Sequence, residues 1–153
     1  MDGLVIAPIR REDAAELAAL ERECFSDPWS EESLLYEVEN EAAEFLCARI
    51  DGELAGYIGL HHVLDEGYIA NIAVSDRFRR RGVASALLDR IFGTAKKLGL
   101  AFLSLEVRVS NMPAQALYRK YGFEQAGMRR GYYEKPREDA LIMTRWLKTP
   151  NND

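Results

Sequence analysis

The middle of the chain alternates strand patterns with helix patterns, and this alternation limits the possible folds more than any other feature. Tyr68 to Val74 is a nearly continuous apolar run, typical of a central strand. Residues 82–98 repeat apolar side chains at helical spacing, whereas residues 101–109 alternate apolar and polar side chains as a strand does. A second helix follows from Asn111 to Tyr121. Strands joined by a helix usually pair in parallel, so we expect an α/β domain with a partly parallel sheet.

The flanking segments supply the remaining elements. The patterns predict a strand at residues 5–9, a helix that has Glu12-Asp13 in its first turn and continues to Cys24, and a second helix from Ser30 to about Glu39. They also predict a hairpin of residues 45–50 and 53–60 around Asp51-Gly52, and final strands at residues 124–132 and 138–147. We therefore expect one domain over residues 1–148, with a central mixed sheet and about four helices. Residues 149–153 are predicted to form a short polar tail.

Composition excludes several classes of protein. The 25 acidic and 20 basic side chains give a net charge of -5, which disfavours binding of nucleic acid or anionic membranes by overall charge. Cys24 and Cys47 form no CxxC pair and fit packed thiols, and the adjacent His61 and His62 fit a surface pair, so no metal site is expected. Neither a leader nor a membrane-spanning run is apparent, so we expect a cytoplasmic protein with no membrane partner.

A cluster of arginines marks the passage from the central strand to the following helix. Arg77, Arg79, Arg80 and Arg81 lie in five consecutive positions just before Gly82. A helix start offers backbone N–H groups and a partial positive charge, and small residues let a ligand approach, so the segment suits a pyrophosphate. It matches neither GxxxxGK[ST] nor GxGxxG. From the residues alone, a solvated basic patch or a nucleic-acid contact remains an alternative.

The segment Arg79 to Ala84 resembles the Q/R-x-x-G-x-G/A motif of the GNAT superfamily of N-acetyltransferases, with Arg79 in place of the commoner Gln and Ala84 in place of Gly. Further segments match in order: Asn71–Val74, Leu105–Asn111, Ala116–Tyr118, Tyr121–Phe123, Arg130–Tyr133 and Arg137–Ala140. Together they are similar to the members that acetylate the N-terminal alanine of a small-subunit ribosomal protein. The resemblance implies a GNAT fold, acetyl-CoA as cosubstrate, a protein N-terminus as partner, and no direct nucleic-acid binding.

The resemblance also implies which residues hold acetyl-CoA. The pyrophosphate is assigned to Arg79, Arg80, Arg81, Gly82, Val83 and Ala84. The backbone of Ile72, Ala73 and Val74 is assigned to the pantetheine arm and the thioester oxygen. Asn111 is implied as a further hydrogen-bond partner of the cofactor, although capping of the following helix explains it equally well.

Acetylation of an α-amine requires a base, because an amine with a pKa of about 7.7 to 8.0 is largely protonated near neutral pH. Glu106 lies on the polar face of its strand, and the resemblance implies that it accepts this proton. Tyr118 matches the family's proton donor, which assists departure of the CoA thiolate. By spacing alone, a solvent-facing glutamate and a core tyrosine are the simpler interpretations.

The acceptor site is less clear from sequence. Trp29, Tyr132 and Tyr133 are candidates for binding a peptide N-terminus, and ordinary packing explains them equally well. Three functions stay open at this point: an N-terminal acetyltransferase, an acetyltransferase of a small amine or a lysine side chain, and a non-catalytic acetyl-CoA-binding module. A weak contact of Arg77 to Arg81 with ribosomal RNA is a further alternative.

Overall fold

The structure, a computed structural model, describes residues 3–148. Its elements are β1 (Leu4–Pro8), α1 (Ala14–Cys24), α2 (Glu31–Val38), β2 (Ala43–Ile50), β3 (Glu53–Val63), β4 (Glu66–Val74), α3 (Val83–Leu98), β5 (Phe102–Arg108), α4 (Met112–Lys120), β6 (Glu124–Glu134) and β7 (Arg137–Trp146). Every predicted helix and strand is confirmed, with ends shifted by at most a few residues. The predicted polar tail, residues 149–153, lies outside the described residues.

The seven strands form one mixed sheet in the order β1-β2-β3-β4-β5-β7-β6. β1, β2 and β3 pair antiparallel in sequence order, and β7 pairs antiparallel with both β5 and β6. β4 and β5 pair in parallel, with Glu66–Tyr68 opposite Phe102–Ser104. The expected mixed sheet with four helices is therefore confirmed.

Local sequence signals explain several boundaries. Asp51 and Gly52 both adopt positive φ, 51° and 85°, which the tight turn between β2 and β3 requires. The Ser30 side chain accepts a hydrogen bond from the Ser33 N–H and thereby caps α2. A short 3-10 turn, Arg11–Asp13, leads into α1. These caps and turns act where the periodic patterns begin and end.

The described residues fall into two compact units. The first contains residues 3–61 and 70–93, and its apolar core joins α1 and α2 to β2, β3 and β4. That core consists of Ile9, Ala14, Leu17, Ala18, Leu20, Leu34, Phe45, Cys47, Tyr57 and Ala73. It supports the last turn of α1 and the second half of β4, where several predicted site residues lie.

The second unit contains residues 62–69 and 94–148. β5, β7 and β6 lie side by side in it, and α4 follows β5 in the chain. Its buried residues include Leu103, Leu105, Val107, Phe123 and Met143. In the described ranges, no helix has both the length and the apolar character needed to span a membrane.

Candidate active site

The arginine loop, residues 77–82, connects β4 to α3, and two of its arginines are held by carboxylates. The Arg77 Nη1 lies 2.8 Å from the Glu53 Oε1. The Arg79 Nη1 lies 2.9 Å from the Asp76 Oδ1, and its Nε donates to the Val74 carbonyl over 3.2 Å. Arg79 thus ties the loop back to the end of β4.

Arg80 and Arg81 are the cations left for a ligand. Within residues 3–148, neither side chain forms an ion pair or a hydrogen bond. Both are exposed, and the Arg81 guanidinium lies 5.4 Å from the ring centroid of the buried Phe78. The local positive charge predicted from sequence is therefore available to an anion.

The backbone of the loop is also shaped for an anion. Arg80 has a φ of 61° and Gly82 a φ of 79°, left-handed values that are costly for arginine and free for glycine. The Gly82 carbonyl accepts the Ala86 N–H over 3.0 Å at the start of α3, so Val83 and Ala84 lie in the helix's first turn. N–H groups in a first turn, and turns that include left-handed residues, bind phosphate groups.

The second half of β4 carries the predicted thioester and pantetheine contacts. In this strand the Ile72 N–H donates to the Asn71 Oδ1 over 3.1 Å. The Val74 carbonyl accepts from Arg79 and from the Cys24 Sγ, the latter over 3.5 Å. A ligand that accepts a hydrogen bond from the Ile72 N–H therefore displaces the Asn71 Oδ1 from it.

Asn71 is bonded in turn to Glu21, which lies fully buried in the last turn of α1. The Glu21 carboxylate accepts from the Asn71 Nδ2 over 2.6 Å, from the Trp29 N–H over 2.8 Å and from the Tyr57 hydroxyl. Burial raises the pKa of Glu21, and these three hydrogen bonds oppose the rise. The network joins the loop after α1 to β4.

Trp29 is half-buried in that loop. Its ring centroid lies 5.7 Å from that of Phe45 and 6.3 Å from that of His61. The His61 Nε2 lies 3.0 Å from the Glu37 Oε2, and the His61 side chain, 34% exposed, packs beside the Trp29 and Phe45 rings. The packing interpretation of Trp29 holds, and its role in acceptor binding stays a prediction.

Glu106 occupies the position on β5 that the alternating pattern predicted. Its side chain is 29% exposed, and its Oε2 lies 3.0 Å from the Nε of Arg129 on β6. β7 separates these two strands, and the small Ala140 is the register partner of Arg129 on β7. Glu106 is therefore a carboxylate that is ion-paired and still reachable from solvent.

The three candidate tyrosines lie in the same unit as Glu106 and interact electrostatically with it or with one another. Burial and the neighbouring Tyr133 raise the pKa of Tyr118. Burial, with contributions from Tyr132 and Glu106, raises the pKa of Tyr133 to about 12. The rings of Tyr132 and Tyr133 meet edge to face at 5.0 Å. Tyr132 and Tyr133 thus lie near enough to Glu106 to sense its charge, and Tyr118 lies near Tyr133.

Arg108, two residues after Glu106, contacts Tyr133 and the turn that connects β6 to β7. Its guanidinium lies 4.2 Å from the Tyr133 ring centroid. It also donates to the carbonyls of Lys135 and Pro136 and, over 3.1 Å, to the Glu138 Oε1. This clamp holds the connection between β6 and β7 against β5.

Asn111 caps α4, as the sequence predicted, since its Oδ1 accepts the Ala114 N–H over 3.2 Å. A contact between Asn111 and the cofactor stays a prediction.

Cys47 is buried, whereas Cys24 is half-buried beside Val74 and Arg79, and burial raises the pKa of both thiols. Among residues 3–148, no group of three or more His, Cys, Asp or Glu side chains is placed to hold a metal ion.

The predicted residues therefore fall into two groups by unit. The first unit holds the cofactor candidates from Ile72 to Ala84, together with Trp29. The second unit holds Glu106, Asn111 and the three tyrosines. The sequence missed Glu21 and Arg129, although a glutamate on the apolar stripe of α1 was a visible signal of a buried polar contact.

Comparisons with known proteins bear on the family and the fold. A sequence profile for the family described as "Acetyltransferase (GNAT) family" matches residues 14–123. A Bacillus subtilis protein, provisionally named a ribosomal protein bS18-alanine N-acetyltransferase, is 40% identical over 136 residues, which is 88% of this chain and 90% of that protein. A Mycobacterium tuberculosis protein named N-alpha-acetyltransferase RimI is 33% identical over 148 residues, covering 93% and 92% of the two chains.

A solved structure resembles the fold over almost its whole length. The crystal structure of the ribosomal-protein-S18-alanine N-acetyltransferase from Escherichia coli superposes with a TM-score of 0.87 at 34% sequence identity. The match covers 95% of this chain and 94% of that chain.

Proposed function

Since the chain belongs to the acetyltransferase (GNAT) family, and is an acetyl-CoA-dependent N-acetyltransferase, we propose that its acceptor is the N-terminal α-amine of a protein. The N-terminal alanine of a small-subunit ribosomal protein is the first candidate, because the Bacillus subtilis relative and the Escherichia coli structure carry that activity in their names. The observation that carries the mechanism is the partly exposed Glu106 carboxylate, which is ion-paired with Arg129 and lies near Tyr132 and Tyr133. Residues 1–148 are proposed to form the catalytic domain.

Acetyl-CoA is proposed to bind through the arginine loop and β4. Arg80 and Arg81 supply positive charge without competing partners among the described side chains, and the first turn of α3 supplies N–H groups at Val83 and Ala84. Arg79 contributes by holding the loop against the Val74 carbonyl. The backbone N–H groups of Ile72 to Val74 are proposed to bind the carbonyls of the pantetheine arm and the thioester.

Glu106 is proposed to act as the base. The acceptor ammonium gives up one proton to the carboxylate, directly or through a water molecule, and the neutral amine attacks the thioester carbonyl carbon. A C–N bond forms, and the carbonyl oxygen becomes an oxyanion that backbone N–H groups stabilise. Arg129 holds the Glu106 Oε2 in place, which leaves the other carboxylate oxygen for the amine.

Tyr118 is proposed to assist departure of CoA. An ordinary tyrosine has a pKa of about 10 and a thiol one of about 8.5, so full proton transfer from tyrosine to thiolate is already uphill. Burial raises the pKa of Tyr118 further, so the hydroxyl keeps its proton and stabilises the developing thiolate by a hydrogen bond. The C–S bond breaks, the nitrogen of the new amide loses its second proton to solvent, and the thiolate takes up one proton from solvent.

Tyr132, Tyr133 and Trp29 are proposed to bind the acceptor's first residues. The Arg108 clamp fixes the orientation of Tyr133, and the Trp29 backbone is fixed by Glu21. Two free thiols fit a reducing compartment, which favours the cytoplasm as the location of the reaction.

The test is intact-mass analysis of a short peptide beginning with alanine, incubated with the protein and acetyl-CoA. Its twin carries a blocked N-terminus and an internal lysine. One acetyl group added only to the free peptide is the expected result. Acetylation of the blocked twin would point instead to a lysine or broader amine acceptor, and acetylation of neither peptide would contradict the proposal.

The residue roles are tested with Glu106→Gln and Tyr118→Phe. Both variants should bind acetyl-CoA normally by calorimetry and lose turnover by about 100-fold, the scale on which a general base contributes and on which one hydrogen-bond donor to a developing negative charge contributes. Glu124→Gln, an exposed change at the start of β6, is the matched control and should keep full activity. Full turnover in Glu106→Gln would exclude it as the base.

A further inference from the structure

Glu21 has a place in the structure that the reaction scheme does not use. Its side chain is fully buried, and no arginine, lysine or histidine pairs with it among residues 3–148. Burying a carboxylate without a cation costs free energy, which hydrogen bonds only partly offset. A glutamine of the same shape would avoid that cost. We therefore expect the Glu21 carboxylate to have a role besides packing.

The three donors to Glu21 come from different parts of the first unit. Trp29 belongs to the loop proposed to bind the acceptor, and its N–H donates to Oε1. Asn71 belongs to β4 and donates to Oε2 together with Tyr57 of β3. Only an ionised carboxylate accepts on both oxygens without carrying a hydrogen of its own.

The side-chain oxygen of Asn71 accepts a hydrogen bond from the backbone of its own strand, β4. Its Oδ1 accepts the Ile72 N–H over 3.1 Å, while its Nδ2 donates to Glu21 over 2.6 Å. The Ile72 N–H is one of the groups proposed to bind the pantetheine or thioester carbonyl. A ligand carbonyl that accepts this N–H displaces the Asn71 Oδ1. The Asn71 side chain then moves, and its hydrogen bond to Glu21 changes with it.

We propose that Glu21 and Asn71 are positioning residues that transmit acetyl-CoA binding at β4 to the acceptor loop. The relay runs from the Ile72 N–H through the Asn71 amide and the Glu21 carboxylate to the Trp29 N–H, and these four groups are called the Glu21 relay. It rests on the proposed function, since it assumes that acetyl-CoA binds β4 and that the Trp29 loop binds the acceptor. Its consequence is that acceptor affinity depends on whether acetyl-CoA is present.

Tryptophan fluorescence reports on the relay without requiring catalysis. The chain has two tryptophans, so Trp146→Phe leaves Trp29 as the single reporter. Acetyl-CoA alone is titrated into this parent protein while Trp29 emission is recorded, and calorimetry gives the dissociation constant independently. The expected result is an emission change that follows the calorimetric binding curve.

Two variants in the same background interrupt the relay. Asn71→Leu removes both of its central hydrogen bonds at similar volume, and Glu21→Gln keeps the shape but cannot accept from all three donors. Both should bind acetyl-CoA within about threefold of the parent, while the Trp29 response is lost and the KM for the alanine peptide rises about tenfold, the effect of one bond to a charged group. kcat should change much less than KM.

Asp13→Asn is the matched control, because Asp13 is a second buried carboxylate at the other end of α1. It should lower stability and leave the Trp29 response and the peptide KM unchanged. Retention of the full emission change in both relay variants, or its absence from the parent, would overturn the proposal. Loss of acetyl-CoA binding in Asn71→Leu would do the same, because Asn71 would then be a cofactor ligand.

Failure of the proposed function gives a different result. If calorimetry detects no acetyl-CoA binding to the parent, the cofactor site itself is wrong, and the relay falls with it. If acetyl-CoA binds and the peptide is not acetylated, only the acceptor assignment fails, and the emission change alone decides whether the relay exists.

Discussion

Replacing Gly56 with alanine should weaken acetyl-CoA binding, because Gly56 lies where β3 touches the cofactor strand. A Cβ added at Gly56 would lie 2.6 Å from the Ala73 carbonyl oxygen and 3.2 Å from the Val83 Cγ1. Ordinary van der Waals contact begins at 3.4 Å, so β4 or β3 must move by 0.8 Å, the difference between 3.4 and 2.6 Å. The oxygen belongs to the backbone, so no side chain can simply rotate away.

The magnitude follows from two opposing effects. Overpacking by one methyl group in a filled site costs about 1–3 kcal/mol of stability. Alanine also restricts the unfolded chain, which returns about 0.4–1 kcal/mol. We expect a net loss of about 1–2 kcal/mol in the free energy of unfolding. If the movement misaligns one N–H of Ala73 or Val74, the dissociation constant for acetyl-CoA rises about 3- to 10-fold.

Urea unfolding and calorimetry with acetyl-CoA measure the two effects separately. Gly93→Ala is the matched control of opposite sign, because a Cβ at this α3 position meets no heavy atom within 4 Å in the described structure. It should gain about 1 kcal/mol from helix propensity and keep its affinity. Gly67→Ala, whose Cβ meets the Leu100 and Leu103 side chains at 2.8 Å, should lose stability and keep its affinity. A Gly56→Ala protein with parental stability and affinity would refute the reasoning.

Two further predictions concern the helix ends. Asn111→Ala should lose about 1 kcal/mol of stability with the α4 cap, whereas Asn111→Asp keeps the cap; equal urea midpoints for both would show that capping is unimportant. Burial acts to raise the pKa of Asp13, but hydrogen bonds from Arg10 and Arg49 bring it below 3.8 on balance. Its stabilisation is therefore present above the unfolded-state pKa of about 3.9 and lost as pH falls through the lower folded-state pKa. Asp13→Asn should make acid unfolding less steep below about pH 4, and unchanged steepness would contradict this.

The sequence predicted those features that depend on local periodicity. The face of β5 that carries Glu106 follows from strict alternation along the strand, and the cap at Asn111 follows from side-chain chemistry next to a helix start. The arginine loop was found because its charge departs from the acidic background of the chain. Each of these signals lies within a dozen neighbouring residues.

Contacts across strands escaped the sequence because they depend on register. Arg129 reaches Glu106 across β7, which lies between their strands and pairs Ile142 with Glu106 and Ala140 with Arg129. Alternation alone fixes neither strand order nor register. Glu21 was visible as a polar residue on an apolar helix stripe. Its partners Tyr57 and Asn71 lie 36 and 50 residues away, so nothing local could name them.

The arginine loop also bears on how fast an anionic ligand arrives. The whole chain carries a charge of -5 and repels a phosphate-bearing molecule at long range, while Arg80 and Arg81 attract it nearby. At physiological ionic strength the Debye length is about 8 Å, so the distant repulsion is screened before the close attraction is. Added salt therefore has two opposing effects: it weakens the long-range repulsion, and it weakens the ion pairs formed on contact. The association rate should consequently depend on salt far less than for a uniformly basic protein.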